Sequence, residues 1–96
     1  MGLSDIRKRI DEVDDQLVKL FCERMYLVAL VAVAKWRQGL PLNDNTRESE
    51  ICERAAKMAG LEFAPYVRRF FTVVFSLSKD YQALQTTADK WPDINI

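Results

Sequence analysis

The feature that most constrains this chain is an apolar stripe in its first third. Ile6, Ile10, Val13, Leu17, Leu20, Leu27 and Val31 recur in alternating steps of four and three, with position 24 skipped. That is the period of one helix face, and neither Gly nor Pro interrupts it. The pattern predicts a helix over about 5–38, with Ser4 and Asp5 available to cap its start. Such a helix is about 50 Å long. A compact domain of this size has a radius of gyration near ~13 Å and is roughly 35 Å across. Much of the helix must therefore project beyond its own core, and an apolar stripe that long is poorly suited to water. A second copy of the chain, packed helix to helix, relieves the problem. The segment from Tyr26 to Ala34 is apolar on every face and adds to this expectation.

Two further helices follow. Gly39 and Pro41 break the chain once, and Gly60 with Pro65 brackets a second break. The second helix is expected over 45–59, with Asn45 and Glu48 at capping-box spacing and Gly60 as its C-terminal cap. The third is expected over 64–86, with Pro65 in its first turn and Val67, Phe70, Phe71, Val74, Leu77 and Tyr81 buried. The tail from 89 to 96 reads as irregular. No segment alternates like a strand. The fold class is therefore all-α, one domain over 1–96, with three helices per protomer in an intertwined homodimer.

Composition narrows the chemistry. The 96 residues contain 14 Lys plus Arg and 14 Asp plus Glu, so no net charge draws the chain to nucleic acid or an anionic membrane. There is no histidine, which excludes a histidine general base. Cys22 and Cys52 stand alone, without the spacing of a zinc site, and read as ordinary helix residues, so no metal is expected. The start of the chain lacks a signal-peptide core, and the longest apolar run falls short of the ~20 residues needed to cross a bilayer. The expected location is the cytoplasm.

The stripe on the first helix also carries cations. Its skipped position is Arg24, and continuing four residues past Val31 reaches Lys35. These two lie within about 20° of each other around the helix and about 16 Å apart along it. An interior cation is costly unless something anionic meets it. The plain explanation is internal pairing with a carboxylate, or snorkelling of the lysine to the helix end. The other helices weaken that explanation. Arg47 sits in the first turn of the second helix, four residues before Ile51, where the dipole disfavours a cation. Glu48 beside it is, taken alone, an ordinary capping residue. Ser78 and Gln82, four residues apart, interrupt the apolar face of the third helix. A lone core serine is usually bonded back to its own helix. Together these side chains suit a small dianion carrying a hydroxyl group. They include no nucleophile with an adjacent base and no phosphate loop.

At this point the series becomes familiar. Ile6 to Asp14, then Leu20-Phe21-Cys22-Glu23-Arg24, Lys35, Gly39 to Asp44, Arg47-Glu48, Ser78 and Gln82 resemble the AroQ-type, all-helical chorismate mutases over roughly residues 4–86. The resemblance implies a homodimer that rearranges chorismate to prephenate without a cofactor. It assigns Lys35 and Gln82 to the ether oxygen of the breaking C–O bond, and Glu48 with the backbone near Asp44 to the ring hydroxyl. It assigns Arg24, Arg47 and Ser78 to the substrate carboxylates, together with Arg7 from the partner protomer. In such families the domain is often fused to, or associated with, another enzyme of the aromatic pathway.

Two features depart from the pattern. Ala29 to Ala34 is more apolar than the family pattern, and the tail from Trp91 to Ile96 matches nothing in it. Two other readings stand beside the mutase. An isochorismate-pyruvate lyase shares the fold and the cationic site, but the segment from Asn43 to Glu48 favours the mutase. A non-catalytic dimerisation or regulatory module would explain the long helix, but not the interior Arg24 and Lys35.

Overall fold

The computed structural model describes residues 1–85, and among these every regular element is a helix. They are α1 (Leu3–Gln38), α2 (Asn45–Ala59) and α3 (Ala64–Gln85). The 36-residue α1 dominates the shape. The molecule measures 54 × 27 × 17 Å with a radius of gyration of 16.9 Å. A compact chain of this length would be near ~13 Å. The C-terminal tail predicted as irregular lies outside the described residues, as does Thr86.

Each helix end has a local cause. α1 starts two residues earlier than the periodicity predicts. Gly2 is its N-cap, and the Gly2 N–H donates to Asp5 Oδ2 at 3.3 Å. Ser4 is thus inside the helix and is not the cap. At the other end Gly39 takes φ 69°. Its N–H donates to Trp36 O at 3.2 Å, and Leu40 N–H reaches back to Lys35 O at 2.8 Å. This is the Schellman arrangement that satisfies the last carbonyls. For α2 the cap is Asp44, whose Oδ1 accepts from Arg47 N–H at 3.0 Å. The expected capping box of Asn45 and Glu48 does not form. The cap sits one residue earlier, and Glu48 turns to another partner. Gly60 closes α2 at φ 84° and ψ 169°, as its position predicts.

α3 packs against both α1 and α2 and holds the protomer together. Arg68 of α3 forks onto Glu53 of α2, with both contacts at 3.3 Å. The side chains that reach the interior are mostly small: Ala32 and Val33 from α1, Ala56 from α2, and Ala64, Val74, Ser78 and the larger Gln85 from α3. No large side chain among the described residues is fully buried. Val67, Phe71 and Tyr81 are half-buried as partial support for the predicted face of α3. Phe70 and Leu77, expected inside, are 52% and 43% exposed because one protomer offers nothing on that side. The α1 stripe is exposed along its whole length, from 42% at Ile6 to 59% at Leu20. No helix among the described residues is long and apolar enough to cross a membrane.

Candidate active site

A cavity of about 250 Å³ opens where the three helices meet the segment between α1 and α2. Leu27, Val28, Val31, Leu42, Ile51 and Phe75 form its apolar walls. Its polar lining is Arg24, Lys35, Asp44, Arg47, Glu48, Ser78, Lys79 and Gln82. Seven of the eight residues picked out from the sequence therefore converge on one space. The eighth, Arg7, is exposed and borders a separate surface hollow with Leu3, Ser4, Lys8 and Asp11. Seventeen residues of one helix separate it from Arg24, a rise of about 26 Å, so it cannot reach the cavity of its own protomer.

α1 supplies two cations with different settings. Arg24 is half-buried; its Nη1 donates to Ser78 Oγ at 2.9 Å and its guanidinium lies 5.7 Å from the centre of the Phe75 ring. Burial, reinforced by the positive charge of Arg47, pushes its pKa below the ordinary arginine value. The charged form is thus under-compensated in the protomer, as expected of a group awaiting an anion. Lys35 lies one turn from the Gly39 cap and donates Nζ–H to Leu42 O at 3.1 Å. An ammonium has three donors, so two remain for the cavity. The carbonyl of Leu42 is available because the chain has just left the helix.

Arg47 is more exposed than its position relative to Ile51 predicts; it lines the mouth of the cavity and stands 3.9 Å from Glu50. Asp44 is likewise exposed, with its carboxylate committed to the cap. From α3, Ser78 is buried at 5% exposure. Its hydroxyl donates back to Val74 O at 2.7 Å while accepting from Arg24. The bond to its own helix anticipated for a core serine is therefore made, and the serine also steadies the arginine. Gln82 donates one Nε2–H to Val28 O at 2.9 Å. Because a carbonyl can only accept, this bond fixes which end of the amide is nitrogen and leaves the second N–H for the cavity.

Two residues of the site were missed in the sequence. Lys79 pairs with Glu48 across the gap between α3 and α2, Nζ to Oε1 at 2.7 Å. Phe75 supplies the ring under Arg24. The signal was present: positions 71, 75, 78 and 82 step by four, three and four, and Lys79 is four beyond Phe75.

The arrangement sets four cations against two carboxylates, with one hydroxyl and one amide, in an apolar-walled pocket. Such a space can grip a small dianion and direct donors at an oxygen that gains charge. Among the described residues, no cluster of three or more His, Cys, Asp or Glu side chains could hold a metal ion.

Comparison with known proteins points the same way. The chain is 45% identical over 56 residues to a chorismate mutase of Methanocaldococcus jannaschii, covering 58% of this chain and 57% of that protein. It is 41% identical over 47 residues to the T-protein of Haemophilus influenzae, covering 49% of this chain and 12% of that one. It is 32% identical over 56 residues to a bifunctional chorismate mutase/prephenate dehydratase of Aquifex aeolicus, covering 58% of this chain and 16% of that one. The match thus spans less than two thirds of each of these relatives. No solved structure matches significantly. The chorismate mutase type II family, in contrast, matches across residues 6–83, which takes in most of α1, all of α2, nearly all of α3 and the whole cavity. This chain belongs to the chorismate mutase type II family.

Proposed function

We propose that this chain is a chorismate mutase that rearranges chorismate to prephenate as a homodimer. The observation that carries the proposal is the convergence of Arg24, Lys35, Arg47, Glu48, Ser78 and Gln82 on one apolar-walled cavity. The family and the relative from Methanocaldococcus jannaschii support it.

The reaction is unimolecular. The ether C–O bond breaks as a C–C bond forms, with no net proton transfer and no cofactor. The site therefore needs neither a base nor a nucleophile. Its task is to hold the compact chair-like conformer and to stabilise charge growing on the ether oxygen. Arg24 and Arg47 take the carboxylates, and the Phe75 wall shields that contact from water. Ser78 acts first through Arg24, because its own proton is engaged by Val74 O. The free donors of Lys35 and Gln82 face the ether oxygen, one charged and one neutral. Glu48 and the Asp44 segment receive the ring hydroxyl. The partner protomer's α1 covers the exposed stripe and brings its copy of Arg7 to the cavity. Two of the relatives carry names of longer proteins, and the bifunctional one pairs the mutase with a prephenate dehydratase. On that precedent the product passes to a fused or associated prephenate-consuming enzyme.

The test is loss of chorismate absorbance with purified protein, with product analysis, beside Lys35→Ala. Prephenate should form, and the variant should lose about 10³-fold in kcat with a smaller change in KM. Untouched chorismate, or a variant as active as the parent, would refute the proposal.

A further inference from the structure

Every anionic group in the cavity already has a partner, and none of those partners is Arg24 or Lys35. Asp44 is bound to the N-terminus of α2 through Arg47 N–H. Glu48 is bound to Lys79 at 2.7 Å, with the Glu48 side chain only 22% exposed and that of Lys79 49% exposed. Arg24 meets a serine hydroxyl and an aromatic ring. A pair with its lysine half in solvent contributes modestly to stability, so the stability of the fold alone does not explain why α3 places a lysine here. The charge distribution does. Glu48 is the less exposed of the two carboxylates, and Arg24 and Arg47 line the same space. A Glu48 carboxylate without Lys79 would be drawn to either guanidinium and would neutralise the group meant for the ligand.

We propose that Lys79 is a positioning residue that sequesters Glu48. It holds Oε1 against α3 and leaves Oε2 as an acceptor, and so keeps the Glu48 carboxylate off the arginines that would hold a small dicarboxylate dianion. The assignment rests on the proposed mutase reading for its substrate, but the charge argument applies to any dianion in this cavity. Lys79 acts through Glu48 and has no contact with the substrate.

The experiment measures KM and kcat for chorismate, and the dissociation constant of a bicyclic dicarboxylate mimic of the transition state by calorimetry. Parent, Lys79→Met, Lys79→Arg, Glu48→Gln and the double variant Lys79→Met/Glu48→Gln are compared. Lys79→Met should raise both KM and the dissociation constant about tenfold, with kcat changing less. Lys79→Arg should recover most of that loss. In the Glu48→Gln background the Lys79 substitution should have no further effect, since there is no carboxylate left to sequester. A loss in Lys79→Met that persists undiminished beside Glu48→Gln would show that Lys79 binds the ligand directly and would overturn the proposal. So would Lys79→Met binding within twofold of the parent. If Lys79→Met does not fold, Lys79→Arg and the double variant still decide. A parent that binds the dicarboxylate but leaves chorismate intact would sink the mutase reading while the titrations still judge Lys79. A parent that binds no dianion would sink both.

Discussion

A primary amide and a carboxyl differ at position 82 in one property that matters: the amide donates at any pH, and the carboxyl only while protonated. Gln82 already shares its nitrogen between Val28 O and the cavity, so its donor is held in place. Activity should therefore stay nearly flat between about pH 6 and pH 8, well above the ordinary carboxyl range. Gln82→Glu should behave differently. Its donor exists below the carboxyl pKa and vanishes as pH rises through it, so kcat should fall about tenfold per pH unit above that point. A pH profile of both proteins checks this, and a parallel pair of curves would rule it out. Lys35, Arg24 and Gln82 were legible as a group because cations and amides on an apolar helix face break a simple pattern. Lys79 was not, although its spacing was available. A lysine next to a face reads as solvated until the structure shows a glutamate 2.7 Å away on another helix.

At the scale of elements, the two helix ends that require glycine differ in strain. Gly39 has φ 69° and ψ 25°, the left-handed helical region that other residues enter at moderate cost. Gly60 has φ 84° and ψ 169°, a region almost confined to glycine. Nothing stands within 4 Å of a Cβ added at either position, so any cost is in the backbone alone. Gly39→Ala should lower unfolding free energy by about 1 kcal/mol. Gly60→Ala should lower it by about 2 kcal/mol. Urea melts with an unchanged slope would confirm the order, and the reverse order would contradict it. Among the described residues, the helix bounds were readable to within two residues from periodicity and breakers. The N-caps were not, since Ser4 and Asn45 are good capping types close to the true caps Gly2 and Asp44. Which of two nearby candidates caps a helix depends on where the chain leaves helical geometry, and residue type alone does not fix that.

For the whole molecule, the exposed stripe on α1 calls for a second copy. Leu17 is 50% exposed in the protomer and lies toward the inner end of the projecting half of the helix. Leu17→Glu should bury a charge at the helix-to-helix contact, shift sedimentation toward the monomer and abolish activity by removing the partner's Arg7. A Leu17→Glu protein that remains dimeric and active would refute this arrangement. The sequence by itself determined that the chain is helical, that α1 outgrows its own domain and which polar residues share a face. These follow from backbone periodicity and from the cost of leaving apolar surface in water, which depend only on residue order. Only the tertiary structure decided which carboxylate meets which cation, that Ser78 steadies Arg24 and that Phe70 and Leu77 stay outside. These depend on how α3 is placed against α1 and α2, and no spacing along one helix specifies the distance to another.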